Sequence, residues 1–552
     1  MTATDTDGVV HRAAPAPLQR EGRLALPAPS VRATGLLLAL ALCALYALTS
    51  AGGFVSFDGQ VMYNTAAAIV DRHTLALPPH HHGMPGVNGG FYSKYGIAQS
   101  LAEIPFYVIG GALAPHFAGQ LGPTVAIAVT LLTNSVVTAL AALLFFLLVH
   151  ELGATRRAAL AAALLIGVAS PYWPYAKTDF SEPLSALALT GAVLFLVRAR
   201  ARRGATPYVV SGLFIALAVL TKLTVLFALP ALGIYALYVA WLSEANGRAV
   251  AARLYAWGIP VVAGLAAAAI YNLARYGRLT DTGYRSPDDL PFHAPLLRGL
   301  EGLLVSSGKG LLWYCPLVVL ALALWPLLLR RRRAEGLLAL GIVFPTLIVF
   351  ATYPVWWGGH CWGPRYLLPL LPLILLPLAL IPEALAWRAM ARRAAVTLVA
   401  LSVMAQALGV SVHVERFLQT GFADAHERQG LWIARDSPLL GHAWLLAYDM
   451  ARAGAPGVAA RMLAGYPWRH TAGTSLSQRR VITRWDYWWW QAVGRYGLAP
   501  PVQILIALLL LAGLLAALWR LRLPGVVWAR APGFQRADEI GGAPASSRSR
   551  YD

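Results

Sequence analysis

Residues 183–203, PLSALALTGAVLFLVRARARR, form an apolar run that ends in a cluster of arginines. A helix needs about 20 mainly apolar residues to cross the hydrocarbon layer of a membrane. Arginines that flank such a run collect on the cytoplasmic side of the bilayer. The pattern therefore predicts a membrane-spanning helix whose carboxyl-terminal end faces the cytoplasm.

The same pattern recurs along the chain and predicts its fold class. Of the 552 residues, 58% are hydrophobic and only 13% are charged, whereas soluble domains are about a quarter charged. We expect an all-α polytopic membrane protein with about 12 spans (roughly 11–13). The predicted spans are 34–54, 123–149, 157–175, 183–198, 206–221, 224–242, 254–272, 311–329, 336–353, 365–382, 394–412 and 501–520. The run 98–116 is short and broken by Glu103, Pro105 and His116, so we expect it to lie in the membrane interface.

The formal charge of +20 is at first sight typical of a nucleic-acid-binding protein. With the amino terminus in the cytoplasm, however, most of the excess arginines fall on the short inner loops, which is the positive-inside pattern. Counting 98–116 as a span would move these arginines outside. The sequence therefore predicts a multi-pass protein of the bacterial inner (plasma) membrane with both termini cytoplasmic, and no nucleic-acid partner.

The cysteines and the ends of the chain complete the predicted organisation. Three cysteines without a CxxC pair predict neither a disulfide framework nor a structural zinc site. The polar amino-terminal segment does not resemble a cleavable signal. We expect disordered cytoplasmic tails, a transmembrane domain that includes an outer loop, an outer segment or small cap domain, and a last helix. These are residues 1–32 and 522–552, 33–412 with the loop 55–122, 413–500, and 501–521.

Three acids fall on the predicted outer side and are candidate catalytic groups. Asp58 follows the first span, and a carboxylate at a membrane boundary is often functional because its desolvation is costly. It could equally cap a helix or pair with a nearby arginine. Asp179 and Glu182 stand at the entry to the span 183–198, where they could cap the helix or bind an acceptor or metal.

The cations on the outer side are candidate phosphate ligands. All four lysines of the chain, Lys94, Lys177, Lys222 and Lys309, fall on this side. Each could simply extend toward lipid headgroups. That explanation is weaker for Arg365, because glycine, proline and aromatic residues around it indicate a shaped loop. The segment Ser-Gly-Lys-Gly at Lys309 lacks the glycine spacing of a nucleotide-binding P-loop.

The tract His80, His81 and His82 is the candidate metal site of the sequence. Imidazole is a common metal ligand, but adjacent histidines in a loop are more often solvated, and the sequence leaves both readings open. The tryptophans, including Trp356 and Trp357, are expected to belong to the membrane-interface belt, with stacking on a sugar as the sharper alternative.

Four motifs on the outer side, taken in order, resemble those of GT-C membrane glycosyltransferases, the class that contains protein O-mannosyltransferases and the lipid A aminoarabinose transferase (glycosyltransferase families 39 and 83). The motifs are Asp58-Gly-Gln-x-x-Tyr63, Phe91-Tyr-Ser-Lys-Tyr-Gly96, Asp179 to Pro183, and Gly363-Pro-Arg-Tyr366, and the resemblance covers roughly residues 34–412. It implies a GT-C type helical fold with juxtamembrane helices in the first outer loop. It also implies an extracytoplasmic active site and a polyprenyl-phosphate sugar donor.

The resemblance implies that Asp58 is the catalytic base. Many relatives carry an acidic pair at this point, whereas Gly59 follows here, so a second acid is either supplied by Asp179 or Glu182 or absent. The expected donor-phosphate ligands are Arg365, Lys94, Lys222, Lys309 and Arg285. The expected substrate-lining residues are Gln60, Tyr63, Tyr92, Tyr284, His360 and Tyr366.

The predicted reaction is transfer of a hexose or pentose to an extracytoplasmic glycan, lipid or protein in cell-envelope glycan biosynthesis. One carboxylate without a covalent intermediate would invert the anomeric centre. The sequence requires no cofactor and leaves a divalent metal open.

Two other functions compete with this interpretation. A lipid or glycan transporter would show polar breaks within its spans and two related halves, whereas here the polar residues cluster at one side. A non-enzymatic scaffold presenting residues 413–500 would leave the outer carboxylates and cations without a role.

Overall fold

The computed structural model describes residues 30–79, 82–202, 204–285, 293–380, 389–414, 416–417, 427–465, 487–488 and 500–521. Within them the chain is almost entirely helical, and the only paired strands described are β1 (Met84–Pro85) and β2 (Phe91–Tyr92), which run antiparallel. The predicted all-α class is confirmed. The predicted tails and most of residues 466–499 lie outside the described residues.

The helices follow one another through short connections. In chain order they are α1 Val31–Leu48, α2 Phe57–Arg72, α3 Ile97–Leu113, α4 Leu121–Glu151, α5 Arg156–Val168, α6 Tyr172–Ala176, α7 Glu182–Ala201, α8 Thr206–Thr221, α9 Leu229–Ser243, α10 Gly247–Tyr276, α11 Leu296–Val305, α12 Leu311–Tyr314, α13 Leu317–Arg331, α14 Arg333–Ala351, α15 Leu371–Ile374, α16 Ala389–Ser411, α17 Glu427–Trp432, α18 Pro438–Gly454, α19 Pro456–Ala464 and α20 Pro500–Leu521.

Eight stretches of the described chain are long and apolar enough to cross a membrane. They are Val31–Leu48, Ile97–His116, Leu121–Glu151, Glu182–Ala201, Leu223–Ser243, Gly247–Tyr276, Arg333–Ala351 and Ala389–Ser411. Three further apolar helices are shorter, at Thr206–Thr221, Arg365–Leu380 and Ile504–Leu518. The protein is thus a multi-pass membrane protein, in agreement with the sequence.

Proline interrupts three of the predicted spans. The span 157–175 divides into α5 and α6 at Ser170-Pro171, and the span 311–329 divides into α12 and α13 at Cys315-Pro316. The predicted span 365–382 is, as far as residue 380, a series of short helical turns that contains Pro369, Pro372 and Pro377. Proline lacks the amide hydrogen that continues a helix, and it disfavours helical geometry in the preceding residue.

Ion pairs identify one end of the bundle as the end that carries the predicted inner loops. Arg198 near the end of α7 pairs with Glu151 at the end of α4, at 2.6 Å. Arg253 in α10 pairs with Glu244, which follows α9, at 2.6 Å. The loops predicted to lie inside therefore collect at one end, and the start of α7 lies at the other.

Helix α3 is apolar and long enough to be a candidate span, but it does not pass from one end of the bundle to the other. It begins after Gly96, which lies against the carbonyl groups of Leu220 and Thr221 at the end of α8. Helix α4 ends beside the end of α7 and so begins at the same end of the bundle as α3. A crossing α3 would place the start of α4 at the opposite end, so this geometry agrees with the interfacial helix expected at 98–116.

Candidate functional site

Asp58 stands in the first turn of α2, at the end of the bundle opposite the arginine loops. The Ser56 hydroxyl caps this helix by accepting a hydrogen bond from the amide of Gly59 at 3.0 Å. A carboxylate in the first turn is stabilised by the positive end of the helix dipole. The Asp58 side chain is 23% exposed, so it is fixed by the helix and still reachable.

Both oxygens of Asp58 accept hydrogen bonds from distant parts of the chain. Tyr95, just before α3, donates its hydroxyl to Oδ1 at 2.7 Å. Arg365, which begins the turn after loop 354–364, donates Nη2 to Oδ2. Three predicted outer segments therefore meet on one carboxylate.

Arg365 connects Asp58 to Glu182, the first residue of α7. Its Nε lies 2.7 Å from Oε1 of Glu182, and Nζ of Lys222 lies 2.5 Å from the same oxygen. The Glu182 side chain has no exposed surface, and that of Arg365 is 11% exposed. A guanidinium group presents several donors in a fixed plane, which allows Arg365 to bind both carboxylates at once. We call Asp58, Glu182, Lys222 and Arg365 the charge cluster.

The loop before Arg365 is shaped by glycines. Gly358, Gly359 and Gly363 have φ values of 76°, 70° and 62°, a region that side-chain-bearing residues rarely adopt. The guanidinium donates Nη1 to the carbonyl of Gly358 at 3.3 Å and lies 4.1 Å from the ring centroid of Phe180. The predicted shaped loop is therefore present and directs Arg365 into the cluster.

Lys309 reaches this loop rather than the carboxylates. Its Nζ donates to the carbonyl oxygens of Gly359 and Cys361 at 2.8 and 2.6 Å and lies 3.2 Å from Sγ of Cys361. In this geometry Lys309 holds the backbone that presents Arg365. Its predicted contact with a phosphate remains a prediction.

Asp179 ties the start of α2 to the turn before α7. Its Oδ2 accepts the amides of Val55 and Ser56 at 3.0 and 3.1 Å, and its Oδ1 accepts the Ser56 hydroxyl at 2.8 Å. A Cβ atom added at Gly59 would overlap the Asp179 carboxyl group. The acid that the sequence lacks at position 59 is thus present in space, because Asp179 fills the same volume.

The two exposed-end acids have opposite proton affinities. Burial alone would raise the pKa of Asp58, but Arg365, the Tyr95 hydroxyl and Lys222 together bring it below its usual value. Burial raises the pKa of Asp179 from 3.8 to about 6, although hydrogen bonds from Ser56 and Val55 oppose that shift. Asp58 is therefore the carboxylate that is ionised most readily at neutral pH.

Three of the predicted lining residues lie beside the charge cluster or the loop above it. The ring of Tyr366 lies 5.1 Å from Nζ of Lys222. Nζ of Lys94 lies 4.9 Å from the ring centroid of Tyr284, which packs edge-on against Tyr95 at 6.5 Å. Lys94 and Tyr284 thus form the outer margin of the site.

Other predicted residues contact different groups. Arg285 pairs with Asp281 at 2.5 Å. Tyr92 packs against Tyr276 in the first outer loop, and Tyr63 packs against Phe54 and Tyr107. The remaining predicted lining residues are Gln60, half-buried on α2, and His360, exposed in the glycine loop.

Of the predicted histidine tract, only His82 falls in the described part of the chain, where its ring packs against Phe57 at 4.6 Å. His80 and His81 lie outside the described residues. Among the residues that are described, no group of three histidine, cysteine, aspartate or glutamate side chains is arranged to hold a metal.

Sequence reasoning missed Tyr95, Asn134 and Arg275. Tyr95 belongs to the Phe91–Gly96 motif, but only the pairing of β1 with β2 assigns Tyr92 to the loop core and leaves Tyr95 to face Asp58. Asn134 lies within α4 and donates to the carbonyls of Thr178 and Phe180, both at 2.7 Å. A polar residue inside an apolar span often has a specific role, and this signal could have found it.

The fold and the site define a polytopic helical membrane protein with a buried charge cluster at one end of its bundle. No protein-family model and no curated protein sequence matches the chain. The solved structures to which it is similar are GT-C glycosyltransferases, the class that its motifs resemble.

One is ArnT from Cupriavidus metallidurans bound to undecaprenyl phosphate, with 15% identity and a TM-score of 0.43 over 77% of this chain and 80% of that one. The apo form of that ArnT gives 14% identity and a TM-score of 0.41 over 76% and 79%. The oligosaccharyltransferase of Archaeoglobus fulgidus in its apo form gives 14% identity and a TM-score of 0.38 over 79% of this chain. The match spans only 60% of the length of that oligosaccharyltransferase.

Proposed function

We propose that the protein is a membrane glycosyltransferase that moves a sugar from a polyprenyl-phosphate donor to an extracytoplasmic acceptor. The observation that carries this proposal is the contact of Arg365 with both Asp58 and Glu182, with Lys222 beside them. It unites a partly exposed carboxylate with two cations at the end of the bundle away from the arginine loops. The four motifs that resemble GT-C enzymes contribute all of these residues except Lys222.

Asp58 is the proposed base. An acceptor hydroxyl gives its proton to Asp58 as its oxygen forms a bond to the anomeric carbon of the donor sugar. The bond between that carbon and the phosphate oxygen breaks, and the polyprenyl phosphate leaves with the bonding electrons. Proton transfer to a positioned carboxylate contributes about 10²- to 10⁴-fold to a rate. A single displacement of this kind inverts the configuration of the sugar.

Arg365 and Lys222 are the proposed ligands of the leaving phosphate, with Lys94 at the outer margin. A guanidinium group binds phosphate oxygens in a planar, bidentate manner, and fixed cations stabilise the charge that develops on the leaving group. Before the donor binds, Arg365 is engaged by Asp58. A phosphate that draws Arg365 away would remove the cation that lowers the basicity of Asp58, so donor binding would activate the base.

The proposed setting is a bacterial plasma membrane with the active site on the extracytoplasmic face. This placement follows from the arginine-rich loops at the opposite end of the bundle, which the positive-inside rule assigns to the cytoplasm. The charge cluster does not select among glycan, lipid and protein acceptors or between hexose and pentose donors.

The test uses the full chain in lipid nanodiscs with a panel of polyprenyl-phosphate hexoses and pentoses, and follows release of polyprenyl phosphate. We expect turnover of at least one donor and its loss in Asp58→Asn. Absence of turnover across the panel by the folded wild type would overturn the transferase proposal. Wild-type rates in Asp58→Asn would overturn only the assignment of the base.

A further inference from the structure

Arg275 is a buried arginine whose contacts are made to backbone rather than to a carboxylate. It lies in the last turn of α10 with 2% of its surface exposed. It donates Nη1 to the carbonyls of Ser93 and, at 3.4 Å, of Tyr95. Its Nη2 donates to Oδ1 of Asn272 at 2.7 Å. These contacts join the end of α10 to the segment that precedes α3.

No ion pair to Arg275 occurs within the described residues. The nearby Asp281 pairs instead with Arg285 at 2.5 Å. The guanidinium lies between the rings of Tyr271 and Tyr276, with its carbon 3.6 and 4.8 Å from their centroids. Removing a charged group from water is costly unless its donors are satisfied. Here backbone carbonyls of residues 93–95 satisfy them, so the position of this segment depends on Arg275.

The same segment is held from a second side. The Tyr276 hydroxyl donates to the carbonyl of Ser93 at 2.9 Å, and Gly86 in the first outer loop packs against the carbonyl of Arg275. The end of α10 is therefore the support on which the turn containing Lys94 and Tyr95 rests. From this support the Tyr95 hydroxyl extends to Oδ1 of Asp58.

We propose that Arg275 is a positioning residue that acts through Tyr95, by fixing the phenol that donates to the reacting carboxylate Asp58. This inference rests on the proposed function and adds a residue to it. Arg275 touches neither Asp58 nor the other members of the charge cluster, so it sets the geometry and the proton affinity of the base without taking part in the reaction.

The direction of the pH effect follows from the groups that face Asp58. These are Tyr95 before α3, Arg365 after the glycine loop and Lys222 after α8. Burial and the neighbouring Asp58 raise the pKa of Tyr95 well above its usual value, so its hydroxyl stays protonated and donates. All three groups favour the ionised form of Asp58. Loss of the Tyr95 contact therefore raises the pKa of Asp58.

The test compares Arg275→Gln, Arg275→Lys and Tyr95→Phe in the full chain. We expect Arg275→Gln to lower kcat by about 10- to 100-fold, because a misplacement of about 1 Å has effects of this size. The KM for the donor should change less, and the acidic limb of the pH profile of kcat should move to higher pH. Tyr95→Phe should move it in the same direction, and Arg275→Lys should fall between Arg275→Gln and the wild type.

Non-additivity separates positioning from general support of the fold. In the Tyr95→Phe background, Arg275→Gln should lower kcat by no more than about 2- to 3-fold further, because residues that act in one chain of contacts are coupled. Arg278→Gln makes the same charge change at an exposed position three residues along and is the matched control. Equal losses in both backgrounds, or an unmoved acidic limb, would overturn the proposal.

A second readout does not depend on turnover. The apparent melting temperature is measured from pH 3 to 7 for each variant and for the same variant carrying Asp58→Asn. Because its folded pKa is depressed, Asp58 stabilises the fold at neutral pH, and this contribution disappears as the pH falls through that pKa. In Arg275→Gln the loss should begin at higher pH than in the wild type. If the wild type has no transferase activity, this shift still tests Arg275, and its absence would refute the positioning role.

Discussion

The carboxyl group of Asp179 fills the space in which a side chain at Gly59 would lie. The two residues are remote in sequence, yet Asp179 also accepts the amides of Val55 and Ser56 that lead into α2. Glycine at position 59 therefore permits the turn before α7 to supply an acid next to Asp58. The site obtains two neighbouring carboxylates from two segments of the chain.

The first prediction concerns Gly59→Ala. The added methyl group would collide with Asp179, and overpacking of this kind costs about 1–3 kcal/mol in the free energy of unfolding. We expect a lower melting temperature and reduced turnover. Gly53→Ala, which meets no atom within 4 Å, is the control. In an Asp179→Gly background the same methyl should cost less, and an equal cost there would show that the collision is not with Asp179.

The second prediction separates catalysis from binding at Asp58. We expect Asp58→Asn to lower turnover by about 10²- to 10⁴-fold, since it removes the base. Affinity for polyprenyl phosphate should rise, because Arg365 is no longer held by a charged partner. Titration of the lipid phosphate against the purified variant measures this. Asp71→Asn, exposed near the end of α2, is the matched control. Weaker binding by Asp58→Asn would contradict the competition between Asp58 and the phosphate.

The third prediction concerns Arg365→Lys. A lysine keeps the charge but lacks the planar fork, so it cannot bind Asp58 and Glu182 together. We expect weaker binding of polyprenyl phosphate and a less stable fold, because Glu182 is fully buried and loses one of its two cations. Removing one partner of a buried pair outright costs about 3–5 kcal/mol, and Arg365→Lys should cost less than Arg365→Gln. Arg435→Lys, in an exposed ion pair, should leave both properties unchanged. Wild-type binding by Arg365→Lys would argue against bidentate contact with the phosphate.

The fourth prediction is a pH effect at Asp179. Its pKa is raised from 3.8 to about 6 by burial, so over this interval the folded protein holds a proton that the unfolded chain releases. Stability contributed by this group therefore falls as the pH rises from 3.8 to about 6 and is constant above that range. The difference in melting temperature between wild type and Asp179→Asn should follow this curve. A difference that does not vary with pH would contradict it.

Much of the fold follows from the sequence because membrane insertion is a local property. Each segment crosses or does not cross according to its own apolar length and flanking charge. That is why the arginine loops and the site residues fall at opposite ends of the bundle as expected. The positions at which proline divides the predicted spans 157–175 and 311–329 were also visible in the sequence, although the apolar average concealed them.

The sequence by itself determined a multi-pass helical protein and placed Asp58, Glu182, Lys222 and Arg365 on one side of it. Only the tertiary structure decided that these four touch, that Lys309 holds a loop, and that Tyr95 rather than Tyr92 faces the base. Asp58 and Arg365 are 307 positions apart, so their contact depends on the packing of many intervening helices. Residue type and spacing define the side of a membrane, whereas a hydrogen bond requires atoms placed within a few tenths of an ångström, and that precision comes only from the packed bundle.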